Sequence, residues 1–143
     1  MLTLVATSGS GWVLLAALAA TIAVPFALRH RSGRDAVQRP LRQRLRPHYW
    51  LGYVIAALAL VHAGLATGSG LALHANATGV SLATAALVLV GAQVCLGVLL
   101  REPSVRNRPA LRRRHRWVMV GIVAVTVGHI VLNSPLVHGL IGR

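Results

Sequence analysis

The sequence predicts an all-α integral membrane protein, a bundle of four transmembrane helices. Apolar residues make up 55% of the 143 residues and charged residues only 12%, about half the ~25% that is typical of soluble domains. Four long apolar stretches are separated by short polar segments. None of these stretches shows the strict alternation of a half-buried strand, so helices are expected in all four.

Each apolar stretch approaches the ~20 residues that a helix needs to cross a ~30 Å hydrocarbon core. Ala, Leu, Val and Gly dominate the stretches, and these residues suit close helix packing in lipid. Pro25 lies near the end of the first stretch, where a proline kinks a helix. We expect a single four-helix domain over residues 1–143, with spans at about 11–29, 48–67, 80–100 and 116–133.

The charges predict the orientation of this bundle. The chain has 15 Arg, no Lys, one Asp and one Glu, which gives a net charge of +13. Residues 29–47 and 101–116 hold seven Arg each, whereas residues 67–79 between them carry no charge. Because basic loops stay in the cytoplasm, both Arg-rich loops are expected there and both termini outside, in a bacterial inner membrane.

The same charges bear on the partners. Both Arg clusters adjoin membrane spans, which favours membrane lipid over nucleic acid as the partner of this basic chain. Membrane topology is the main explanation for the Arg-rich loops, and an acidic cytoplasmic partner or anionic lipid is the alternative. A single cysteine, Cys95, excludes a disulfide framework and a cysteine-based zinc site.

Histidines recur at one spacing on two of the predicted helices. His48 and His62 lie fourteen residues apart on the second helix, and His115 and His129 lie fourteen apart on the fourth. Fourteen residues rise about 21 Å and differ by about 40° in direction, so each helix presents both imidazoles on one face. The two helices run the same way, which predicts a cytoplasmic pair, His48 with His115, and an outer pair, His62 with His129.

Two imidazoles facing each other at one depth are what a six-coordinate haem iron requires. Zinc would need four ligands, and each pair supplies two. The sequence therefore predicts two bis-histidine haem b sites, with the ligands on the second and fourth helices. Arg46, Arg114 and Arg116 adjoin the cytoplasmic pair and are expected to bind haem propionates. Small residues that would make room for the porphyrin are Gly52, Ala59, Gly64, Gly121, Ala124 and Gly128.

Alternative roles exist for individual polar residues. His48 and His115 start their spans amid arginines, where a histidine needs no ligand role. His62 and His129 lie inside apolar spans, and such ionisable groups are functional candidates by default. Gln93, in the middle of the third span, is expected to hydrogen-bond between helices, with contact to a quinone as the alternative.

These histidine segments resemble the haem helices of diheme b-type membrane cytochromes. Two families share the arrangement: the N-terminal four-helix core of cytochrome b, and the transmembrane domain of ferric reductases and NADPH oxidases. The resemblance implies that the cytoplasmic pair binds one haem and the outer pair the other. The segments that carry it are HYWLG at 48–52, VHAG at 61–64, HRW at 115–117 and GH at 128–129.

The expected function is electron transfer across the membrane between donor and acceptor on opposite faces. The sequence has no counterpart of the added helices of cytochrome b or of the flavin domains of ferric reductases, so a subunit of an oxidoreductase is expected rather than a self-contained enzyme. A quinone or a redox partner protein would exchange electrons with it, and a quinone is also a candidate cofactor. The alternatives are a membrane anchor subunit of a cytoplasmic or external redox enzyme, and a histidine-lined metal or proton transporter.

Overall fold

The computed structural model describes residues 2–30, 43 and 45–133, and these residues are helical apart from a few turn and loop positions, with no strand among them. Most of the first predicted Arg-rich loop, residues 31–42 and 44, lies outside the described part of the chain, as do residues 134–143. The helices are α1 (Leu2–His30), α2 (Arg46–Gly68), α3 (Leu71–His74), α4 (Ala77–Arg101) and α5 (Arg108–Asn133).

The four long helices are each long and apolar enough to cross a membrane. Their outer faces carry large apolar side chains such as Leu60, Val88 and Trp117, which are 63%, 68% and 68% exposed. Apolar surface of this extent is unfavourable in water and favourable in lipid. The predicted all-α fold with four membrane-length helices is therefore confirmed, and it indicates an integral membrane protein.

The second Arg-rich segment is more helical than the sequence pattern predicts. α4 ends at Arg101 and α5 already begins at Arg108, so the arginines that follow belong to the helix and not to a loop. The side chain of Asn107 accepts a hydrogen bond from the backbone N–H of Ala110 at 3.3 Å, which caps α5. Pro109 fits the first turn, and arginine is itself a good helix former.

Residues Met1–Leu65 form the first of two compact units into which the chain divides. Within this unit, α1 and α2 are an antiparallel hairpin. Leu18 and Thr21 from α1 and Ile55 and Ala59 from α2 are its buried residues among those described. The hairpin core is thus small and is built around the middle of both helices.

Residues Ala66–Arg143 form the second unit, in which α4 and α5 are also an antiparallel hairpin. The single turn α3 follows Gly70, whose φ of 72° lies in the left-handed region that glycine adopts readily. The side chain of Asn76 caps α4 by accepting from the N–H of Gly79 at 3.1 Å. Ile122, in the middle of α5, is buried.

Candidate functional site

The two helices that carry the candidate histidines share one more residue. An isoleucine lies midway between the two histidines of each helix, seven residues from either one. Residues spaced by seven fall on one face of a helix, and both isoleucines are buried while the histidines are half-buried. We call these sets the histidine stripes: His48, Ile55 and His62 on α2, and His115, Ile122 and His129 on α5.

In the first unit, His48 contacts the backbone of α1. Its Nδ1 atom lies 3.1 Å from the carbonyl oxygen of Thr21. A carbonyl oxygen can only accept, so Nδ1 carries the proton and donates it. In a neutral imidazole, the lone pair that can bind a metal is then on Nε2.

His62 has the same tautomer for a different reason. Its Nδ1 atom lies 3.0 Å from Oγ of Ser10, and that hydroxyl donates to the carbonyl oxygen of Thr7 at 2.8 Å. A serine hydroxyl has one proton, so Ser10 must accept from Nδ1 of His62. Gly11 makes room for the ring, because a Cβ there would lie 3.3 Å from Cε1 of His62.

In the second unit, His129 meets the first turn of α4. Its Nδ1 atom lies 2.9 Å from the carbonyl oxygen of Gly79, to which it donates. Nδ2 of Asn133 lies 3.3 Å from the same Nδ1, and Oδ1 of Asn133 accepts from the backbone N–H of Asn76 at 2.9 Å. The end of α5 is thereby tied to the start of α4 around His129.

His115 is held at its other ring nitrogen. Nε2 of His115 lies 3.2 Å from the amide nitrogen of Gln93 on α4, which donates to it. Nε2 therefore bears the lone pair here too. The amide oxygen of Gln93 is buried and has no hydrogen-bond partner among the described residues. Gln93 thus bonds between helices, as the sequence predicts, but at the nitrogen that a metal would use.

All four histidines therefore have their lone pair on Nε2. In three of them Nδ1–H is donated to an oxygen, which is how metal-ligating histidines are usually held. Within the described ranges, no three His, Cys, Asp or Glu side chains form a group able to hold a metal ion. The two units are described separately, so the matching of His48 with His115 and of His62 with His129 stays a prediction.

The predicted propionate ligands are exposed. Arg46 is the first residue of α2, and Arg114 and Arg116 lie in the early turns of α5. The structure has an open pocket of about 460 Å³ at the start of α5, within the second unit. The pocket is lined by Asn107, Pro109, Ala110, Arg113 and Arg116.

The small residues that were predicted to make room for the porphyrin differ in their surroundings. A Cβ at Gly52 or Gly64 would meet no described atom within 4 Å. At Gly121 and Gly128 it would lie 3.4 Å and 2.8 Å from leucine side chains of α4, and Ala59 is buried in the first hairpin. Gly121 and Gly128 therefore serve the packing of α5 against α4, whereas Gly52 and Gly64 leave open space on α2.

Several partners of the histidines were not singled out from the sequence. Ser10, Thr21 and Gly79 are ordinary helix residues by type, and they matter because of the register between neighbouring helices. Thr21 alone has a sequence signal, since a proline follows it by four residues. Comparison of the chain with protein families, curated proteins and solved structures finds no match. Its function is therefore inferred from the histidines and their surroundings.

Proposed function

We propose that the protein is a diheme b-type cytochrome that transfers electrons across the membrane, as a subunit that exchanges them with a quinone pool or a redox partner protein. The observation that carries this proposal is the repeated histidine stripe, in which all four candidate ligands have the lone pair on Nε2. Haem supplies one-electron exchange at its iron, and the protein supplies ligands, spacing and a dry surrounding.

The donor set supports bis-histidine ligation. Nδ1–H of His48, His62 and His129 is donated to a carbonyl or hydroxyl oxygen. Such a bond fixes the tautomer and ring orientation and raises the basicity of the ligating nitrogen. His115 fits once the amide of Gln93 has moved away from Nε2, which requires one side-chain rotation. His62 and His129 would thus bind a metal through Nε2 while keeping their Nδ1–H bonds, whereas His115 needs a small rearrangement.

The charges and apolar surfaces suit this role. The Arg-rich segments would lie in the cytoplasm and the termini outside, because basic loops are retained on the cytoplasmic side. Arg46, Arg114 and Arg116 would then bind the propionates of the cytoplasmic haem through charge-assisted hydrogen bonds. The two levels of histidines are about 21 Å apart along a helix, and apolar side chains between them exclude water.

The direct test is the visible spectrum of the purified protein with a pyridine haemochrome assay. About two haem b per chain are expected, as bis-histidine ligation at two levels requires. Replacing His62 or His129 by alanine should remove one haem and leave the other. The matched control is His74→Ala, because His74 is exposed in α3 and should leave both haems in place. A colourless protein, or full haem content in both His62→Ala and His129→Ala, contradicts the proposal.

A second candidate function is transport of a divalent metal or of protons. The position of His62 and His129 inside apolar helices favours it, since ionisable side chains within membrane spans are typical of ion and proton pathways. Protein reconstituted in vesicles would then take up Zn²⁺ or protons while showing no Soret band. Two bound haems without such uptake exclude this function.

A further inference from the structure

The carbonyl group that holds His48 belongs to an interrupted turn of α1. In an α-helix the carbonyl oxygen of residue i accepts from the N–H of residue i+4. The residue four positions after Thr21 is Pro25, which lies inside α1 and has no N–H. The helix therefore cannot supply the usual donor to the carbonyl oxygen of Thr21.

His48 provides a donor at this position. Thr21 is 3% exposed, and a buried carbonyl group without a donor is destabilising. Nδ1 of His48 lies 3.1 Å from its oxygen. The hydroxyl of Thr21 donates to the carbonyl oxygen of Ala17 at 2.9 Å and does not compete for His48. The backbone oxygen that Pro25 releases is thus the one that orients the ring.

We propose, on the basis of the haem function above, that Pro25 is a positioning residue for His48. By withholding a competing N–H, it gives Nδ1–H of His48 a strong acceptor, and Nε2 becomes the better electron donor to iron. Among the four candidate ligands, His48 is the one whose partner is followed by a proline at this distance. His129 also donates to a backbone oxygen, that of Gly79, but the residue four positions on is Ala83, which has an N–H.

The test is Pro25→Ala, which restores the N–H at position 25. Protein labelled with ¹⁵N-histidine and produced without haem is studied by NMR in detergent, with the His48 signal identified by its loss in His48→Gln. The unaltered protein should show His48 with the proton on Nδ1. Pro25→Ala should lower the population of that tautomer, because the new N–H competes for the carbonyl oxygen of Thr21.

Titration with haem gives the second measurement. Loss of the hydrogen bond that holds the second ring nitrogen of a ligating histidine lowers metal affinity by about 10–100-fold. For the haem of the cytoplasmic pair, we expect affinity to fall by about 10-fold, the lower end of this range. The effect is small because a carbonyl oxygen can accept two hydrogen bonds, so His48 keeps part of its bond. The midpoint potential of that haem should rise, because a less basic imidazole stabilises ferric iron less. The haem of the outer pair is the internal control.

The matched variant is Phe26→Ala, which alters the exposed neighbour of Pro25 but keeps Pro25 and the carbonyl group of Thr21. It should leave the His48 tautomer and the haem affinity unchanged. Equal tautomer populations in Pro25→Ala and in the unaltered protein overturn the positioning role. A proton on Nε2 of His48 in the unaltered protein also overturns this role, and this measurement does not depend on the folding of any variant. A tautomer shift in a protein that binds no haem would instead reject the cytochrome function and retain the role of Pro25 in orienting His48.

Discussion

Replacing Gly79 by alanine is expected to destabilise the α4–α5 hairpin and to disturb His129. An alanine Cβ at this position would overlap the side-chain amide of Asn133. That amide has to rotate away, and its Oδ1 then loses the hydrogen bond from the backbone N–H of Asn76. Nδ1 of His129 bonds to the carbonyl oxygen of Gly79 itself, so the change acts at the centre of this contact.

The magnitude follows from three contributions. Overpacking a closely packed site costs about 1–3 kcal/mol. The lost hydrogen bond costs about 1 kcal/mol, and alanine gains about 1 kcal/mol over glycine from helix propensity. The last two contributions offset each other, so the free energy of unfolding should fall by about 1–3 kcal/mol.

Reversible unfolding in detergent, followed by circular dichroism, measures this change. Gly91→Ala is the matched control on the same helix, because a Cβ there would meet no described atom within 4 Å. The control should be as stable as the unaltered protein or more stable by up to about 1 kcal/mol. If Gly79→Ala is as stable as Gly91→Ala, the amide of Asn133 does not lie against Gly79 and the geometry around His129 is wrong.

Two further variants test the other histidines. Gln93→Leu removes the donor that competes with iron for Nε2 of His115. Haem titration should then give about fivefold tighter haem binding at one site, which corresponds to about 1 kcal/mol for one hydrogen bond. Weaker haem binding would mean that Gln93 supports the ligand. Gly11→Ala places a Cβ 3.3 Å from Cε1 of His62 and should lower the affinity for one haem by up to about 10-fold. Gly9→Ala, whose Cβ would meet no described atom within 4 Å, should leave haem binding unchanged.

The membrane helices were predictable from the sequence because their signal is local. Apolar length alone identifies a span, and all four long helices contain the apolar stretches that predict them. The residues at which the helices begin and end were less predictable. Hydropathy predicts a loop at Arg108 and the arginines after it. In the structure they belong to α5, because Asn107 caps the helix just before them. Hydropathy reports where a helix can enter lipid, whereas capping and propensity decide where the helix begins.

The candidate ligands were also accessible to sequence reasoning, because spacing along one helix fixes which residues share a face. Their partners were not. Ser10 contacts His62 and Gly79 contacts His129 through the register between two helices. A single sequence does not specify that register when both helices are apolar on every side. Pro25 is the exception, since a missing N–H marks an acceptor that some other group must satisfy.

Each histidine is oriented inside its own hairpin, and this makes the pairing of the ligands testable. Pro25→Ala and Gln93→Leu alter histidines in different units, but both should change the same haem if the cytoplasmic pair shares one iron. Gly11→Ala and Gly79→Ala should both change the other haem. The two haems are distinguished by redox titration of their α-bands. If Pro25→Ala and Gln93→Leu change different haems, His48 and His115 do not share an iron, and the predicted pairing across the second and fourth membrane-length helices is wrong.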